Sequence, residues 1–349
     1  MKNRIQGVLG LVSCLLLLSP TLGMAKGAKP ASVPANKVKK AKKVKKMMMW
    51  ELKGKTATIY FFGSLHVANK SFYPLPSAVE TAFRRSQCLV VEADIASQSQ
   101  SQIQRYTMKY GTYIGTNLSL EKDLSKKGMA KLKAYLKKQG IPLGGMRFMR
   151  PWLLGMTITV LGLQKAGFSQ QYGLDMYFLR KARRRIAAGQ NMKVMELESV
   201  LFQLKLFSSF TKKMQEAFLL SSLIQSSQLK KYFKALDIAW KTGDLKGFEK
   251  WMSQFSKSPD SKIVNDKMFR KRNIGMTNKI IQYLKTKKTY FVVVGTGHLV
   301  GKDSVIDMLQ KKGYSPKQCS TDHFKSTKKK AKAVPASKPA PRKAAPSKK

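Results

Sequence analysis

Acidic side chains are scarce in this sequence: 18 Asp and Glu stand against 67 Lys and Arg in 349 residues, a formal charge of +49. Cysteine is rarer still, with three residues, which excludes a disulfide-dense miniprotein. Gly and Pro, at 24 and 13, are too few for a collagen-like fibre. No series of long apolar runs is present, so a polytopic membrane protein is excluded. Nucleic-acid signatures are missing too: there is no zinc-finger spacing, and no aromatic ribonucleoprotein motif interrupts the Lys tracts. Aromatics are not lacking. With 17 Phe and 12 Tyr the chain can bury a substantial core, which argues against global disorder.

The placement of the charge organises the chain. Lys2 and Arg4 precede an apolar run from Val8 to Leu18, and Gly23-Met24-Ala25 is a small-x-small cleavage site. Residues 1–25 therefore read as a signal peptide, too short in its apolar part for a retained anchor, and the mature protein is expected in the periplasm or outside the cell. Segment 26–46 carries nine Lys and no acid; segment 324–349 carries ten Lys and Arg, again without acid. Both are too poor in apolar residues to offset ordering entropy and read as disordered basic tails. Between them, 47–323 holds 46 basic residues and all 18 acids, so the body is basic in its own right. Such charge attracts polyanions, whether lipopolysaccharide, anionic lipid or nucleic acid, and the tails are candidate contacts. A solvated basic surface without a partner is the plain alternative. Cys88 and Cys319 survive processing; pairing and two free thiols are both open.

Within the body, 56–62 (TATIYFF) and 88–93 (CLVVEA) read as buried strands, and 76–85 between them as a helix opened by Pro76. Helices are expected over 127–139, 151–163, 173–188, 199–208, 211–226, 228–241, 244–255, 262–284 and 303–311, with strands at 193–195 and 289–294. The fold class is α/β: one domain with a mixed or mostly parallel central sheet and a large helical insertion.

Two of the three His share one local setting. Gly63-Ser64-Leu65-His66 follows the first strand, and Gly295-Thr296-Gly297-His298 follows the last. The carboxyl ends of parallel strands form the ligand crevice of open α/β sheets, so the two imidazoles can converge there. Glu92 lies within an apolar strand, where a carboxylate needs a partner. Two His and one carboxylate are a common shell for a catalytic divalent cation with an open water position. Glu92 paired with an Arg, and His residues serving only the core or a loop, are the structural alternative.

The motifs resemble those of the TraB/GumN family, which shares a superfamily with the Tiki proteases. Phe61-Phe62-Gly63-Ser64-Leu65-His66-Val67, Tyr73-Pro74-Leu75-Pro76 and Leu89-Val90-Val91-Glu92-Ala93-Asp94 are similar to its opening block. Met149-Arg150-Pro151-Trp152, Gly173-Leu174-Asp175, Leu197-Glu198 with Gln203, Arg272-Asn273 and Val294-Gly295-Thr296-Gly297-His298-Leu299-Val300-Gly301 follow in the family's order. The resemblance implies a compact α/β domain, and in the Tiki branch a divalent-metal-dependent peptide cleavage. His66, Glu92 and His298 become metal ligands or acid–base groups by position. Asp175, Glu198, Arg272 and Asn273 become site-lining residues or, alternatively, a salt-bridged network tying the helical insertion to the sheet. Asp175, Asp94 or Glu198 is the general base, or Glu92 and a His activate water without metal. The substrate would be a peptide or protein. Some family members are associated with pheromone inhibition, so a non-catalytic protein that binds or sequesters a peptide or metal is the alternative function. One departure stands out: Lys271 occupies the place before the Arg-Asn pair where the family often has an acid.

Overall fold

The computed structural model describes residues 45–226, 229–253 and 263–325. The expected signal peptide and nearly all of both basic tails lie outside these residues. Six strands form one sheet: β1 (Lys46–Lys53), β2 (Thr58–Ser64), β3 (Cys88–Val91), β4 (Lys193–Glu196), β5 (Thr289–Gly295) and β6 (Lys317–Ser320), in the order β4-β3-β5-β2-β1-β6. β4, β3, β5 and β2 run parallel, whereas β1 is antiparallel to both β2 and β6. The sheet is therefore mixed, with a parallel core and an antiparallel edge.

The central strands are almost continuously apolar because helices cover both faces of a parallel sheet. Every residue of β3 is buried, and in β2 and β5 only the first is not. Phe291 of β5 anchors the main core, with Phe178 at 4.8 Å, Phe83 at 5.6 Å and Phe62 at 5.9 Å between ring centroids. Helices Ser77–Arg85, Leu174–Ala187 and Lys271–Leu284 pack their apolar faces into this core. The helical insertion brings its own cores. Trp152, from the apolar helix Pro151–Lys165, stacks on Phe207 of helix Val200–Ser208 at 5.2 Å. Helix Lys126–Gln139 packs Met129, Leu132 and Leu136 against Leu219 and Leu220 of helix Lys212–Ser226.

The expected 262–284 helix is interrupted by a π-turn at Asp266–Arg270, directly before Lys271–Leu284. Helix Gln100–Gly111 and strands β1 and β6 add to the elements expected from sequence. Cys88 and Cys319 are both free and buried. Three strands separate theirs, about 19 Å at ordinary strand spacing, so the fold keeps the thiols apart.

Candidate functional site

The parallel register builds the site. Ser64 of β2 pairs with Gly295 of β5, and Val91 of β3 pairs with Val293 of β5 and Glu196 of β4. Four strands therefore end at one level, and His66, His298, Glu92 and Glu198 lie one to three residues beyond those ends. Local hydrogen bonds hold the exits: Trp240 Nε1 donates to the Gly63 carbonyl at 2.9 Å, Thr296 Oγ1 donates to the Ser64 carbonyl at 3.0 Å, and the Glu198 N–H donates to the Glu92 carbonyl at 2.7 Å. His66, Glu92, Asp175, Arg272, Asn273 and His298 are all at most 3% exposed.

Glu92 is the centre. Its Oε1 accepts the Gly295 N–H at 2.6 Å and faces His66 Nε2 at 3.6 Å and His298 Nε2 at 3.8 Å. Its Oε2 accepts from Arg272 Nη2 at 2.8 Å. The same guanidinium grips Glu198 through Nε and Nη2 at 2.7–3.0 Å and donates Nη1 to the Met268 carbonyl at 3.1 Å. Gln203 Nε2 donates to Glu198 at 3.2 Å. The sequence left a metal partner and an Arg partner for Glu92 as alternatives; the geometry gives one oxygen to Arg272 and turns the other towards the two imidazoles.

Each imidazole is aimed from behind. His66 Nδ1 lies 3.2 Å from Asp175 Oδ1, and His298 Nδ1 lies 2.6 Å from Asn273 Oδ1. The amide of Asn273 has one possible orientation, because its other end meets the Asp303 carbonyl at 2.8 Å and a carbonyl only accepts. Oδ1 therefore accepts from His298 Nδ1–H, and the Nε2 lone pair of a neutral His298 points at an anionic carboxylate oxygen. Asp303 offers that carbonyl from a left-handed backbone, φ 58°, in which a non-glycine residue is uncommon.

Electrostatics divide the imidazoles. Burial opposes a charged His66, but the Asp175 and Glu92 carboxylates outweigh it and push its pKa up to about 10. Burial pulls His298 down to about 3, helped by Arg272 and His66 and opposed by Glu92. Burial also resists ionisation of Glu92, yet His298, His66 and Arg272 hold its carboxyl well below the usual range.

The donor chemistry fits a divalent cation. Two Nε2 atoms converge on one carboxylate oxygen, neither His66 nitrogen makes a hydrogen bond, Glu92 and Glu198 share a single guanidinium, and a third carboxylate, Asp175, faces His66. Among the described residues no three His, Cys, Asp or Glu side chains are grouped closely enough to form a coordination shell as they stand.

The other candidates fall into place. Asp94 pairs with Arg183, and its N–H donates to Glu196, so its contacts differ from those of the central cluster. Lys271 is exposed, while Arg272 and Asn273 point inward from the same helical turn. Sequence reasoning missed Phe269, whose ring lies 5.2 Å from that of His298, and the Asp303 carbonyl. A cavity of about 290 Å³ beside His298 is lined in part by Phe269, Asn273, Gly297, Val300, Lys302 and Asp303. Phe269 lies within the π-turn, and no sequence pattern marks it as part of a site.

Two G-x-x-H imidazoles and a glutamate on the parallel strand ends of one mixed α/β sheet define a class of protein. The chain belongs to the TraB/PrgY/gumN family, whose model matches residues 48–318. Uncharacterized protein YbaP of Escherichia coli (strain K12) is 20% identical over 258 residues, covering 72% of this chain and 87% of that protein. YbaP of Shigella flexneri aligns with the same identity and coverage. No solved structure gives a significant match.

Proposed function

We propose that the protein is an exported hydrolase of peptide bonds, with a divalent cation held by His66, His298 and Glu92. One observation carries the reading: both imidazoles have Nδ1 directed at an orienting group while both Nε2 atoms face the same Glu92 oxygen. A cation there would lower the pKa of a bound water and polarise a peptide carbonyl. The chain's own residues supply the rest. Asp175 and Asn273 fix the imidazole rings, and Arg272 fixes Glu92 through its second oxygen while neutralising Glu198. Of the three acids considered as general base, Asp94 and Glu198 are committed to Arg183 and Arg272. Asp175 instead faces His66 Nδ1 at 3.2 Å, where it would hold that ring's proton and orient its Nε2. The cavity at Phe269 is the candidate entry for substrate, and its lining joins apolar Met252, Phe269 and Val300 to the charged pair Arg270–Asp266 and to Lys302 and Asp303. Such a lining suits a peptide with an apolar side chain flanked by polar backbone or mixed charge.

The burial of every central side chain favours a second reading, in which the same residues retain a cation and bind a peptide without turnover. Elemental analysis of the purified protein, followed by peptide-library digestion read by mass spectrometry, separates the two. The hydrolase reading expects bound divalent metal, and cleavage lost in His66→Ala, His298→Ala and Glu92→Gln. Cleavage that survives complete metal removal would sink the metal mechanism, and peptide binding without product would establish the second reading.

A further inference from the structure

One face of the helical insertion lies far outside the role of the site. Nine large hydrophobic side chains stand exposed among the described residues, and four of them come from one stretch of chain: Met108, Ile114, Leu118 and Phe148, at 50, 58, 40 and 56% exposure. The backbone brings these together. The Tyr113 N–H donates to the Phe148 carbonyl at 2.8 Å, and Thr112 bridges Met149, so the loop carrying Ile114 runs beside the loop carrying Phe148. Arg147 reaches across to Glu121 at 2.9 Å, closing the two loops into one surface. Gly144 and Gly145, with open space around both α-carbons, lie just before Phe148 in its loop.

Beside these tips lies helix Lys126–Gln139, whose inner face shares a core with Tyr113 and Leu120. Its outer face carries Lys126, Lys127, Lys131, Lys133, Lys137 and Lys138, all exposed and none in an ion pair among the described residues. From 101 to 150 there are 11 basic residues and two acids, Glu121 and Asp123. Those acids are consumed locally, by Arg147 and by Lys212 with Tyr113.

We propose that this face docks on the surface of an anionic lipid bilayer, with Ile114 and Phe148 entering the acyl boundary and the lysines of the helix meeting the phosphate headgroups. Lysine charge alone would serve any polyanion. A lone Phe148 ring could stack on a base, but the aliphatic tips Met108, Ile114 and Leu118 give a nucleic acid nothing to bind, and together the four match an interface that is anionic outside and apolar within. Lysine stems can lie along the apolar boundary while their ammonium groups stay in water. No described helix is long and apolar enough to cross a membrane, so the docking is peripheral.

The test uses the full chain, tails included, in co-sedimentation with phosphatidylglycerol–phosphatidylcholine vesicles and with phosphatidylcholine alone. Binding should require the anionic lipid and weaken with salt. Ile114→Ser with Phe148→Ser should lower partitioning about tenfold or more, because two apolar insertions are lost while every tail charge remains. Changing Lys131, Lys133 and Lys137 to Gln should weaken binding and flatten its salt dependence. Phe148→Trp offers a second readout that keeps an apolar tip: the emission of the introduced indole should be quenched by brominated lipid. Unchanged partitioning of the Ile114/Phe148 variant, an unquenched signal from the Phe148→Trp variant, or capture by duplex DNA with none by vesicles would each overturn the proposal. None of these variants touches the Glu92 cluster, so metal content and peptide turnover should stay as in the parent.

Discussion

Arg272 holds two carboxylates in a space that water barely reaches. Removing its guanidinium would leave Glu92 and Glu198 facing each other without the cation they share. Arg272→Met should therefore destabilise the protein by about 3–5 kcal/mol in urea denaturation. Adding Glu198→Gln should recover part of that loss, and a single-variant effect below about 1 kcal/mol would contradict the bridging role. Asn273 acts through His298 and is a positioning residue. Asn273→Leu keeps the volume but removes both the acceptor for Nδ1–H and the donor to the Asp303 carbonyl. Divalent-cation affinity, measured by competition with a chelator, should fall about 10–100-fold. Asn273→Asp, which retains the acceptor, should fall less; equal losses would mean that the ring is not oriented in this way.

At the scale of elements, the helix Leu174–Ala187 meets the end of β2 with no room to spare. A Cβ on Gly173 would lie 2.5 Å from the His66 carbonyl oxygen and 2.9 Å from that of Gln170, both backbone atoms that cannot rotate aside. Gly173→Ala should lower the melting temperature and, by shifting Asp175 against His66, weaken cation binding as well. Gly275 is the contrast: it is exposed, helical and has open space, so Gly275→Ala should stabilise by roughly 0.5–1 kcal/mol and leave the cation affinity alone. If both substitutions behave alike in thermal melts, the close approach at Gly173 has no consequence. Elements with strong periodicity or β-branched runs were legible in the sequence: β2, β3, β5 and the helices that pack on them agree with expectation to within a few residues. The edge was not. β1, KMMMWELK, follows a lysine tract and has no β-branched residue, and β6, KQCS, is short and polar, so only pairing within the sheet defines them. Helix Gln100–Gly111 has too few apolar residues to show a clear stripe. The G-x-x-H motifs and Glu92 were legible because strand ends have a recognisable composition. The Asp303 carbonyl was not, since a backbone oxygen leaves no trace in residue type.

For the whole molecule, acidity is the revealing variable. His298 has its pKa lowered from 6.5 to about 3, so the unfolded chain takes up a proton that the folded protein refuses. Without bound cation, stability should fall as pH drops from about 6.5 towards 3, and more steeply below about 4.5, where Glu92 must also be held ionised. His66 has the opposite sign: its raised pKa adds stability that is complete below 6.5 and is lost as pH rises towards about 10. Urea midpoints of chelator-treated protein across this range test both limbs. His298→Gln should flatten the acid limb, and an unchanged acid limb would assign it to other groups. The strand order has a further consequence, for synthesis. β2 and β3 are made early but are not neighbours; the place between them belongs to β5, residues 289–295. A growing chain therefore carries two apolar strands with an open slot until nearly three hundred residues exist. The last parallel strand fills the slot and delivers Gly295 and His298 to Glu92 in the same event. Chains stopped before Thr289 should aggregate through those open edges, and a chain that has not finished its sheet cannot yet have assembled the cluster around Glu92.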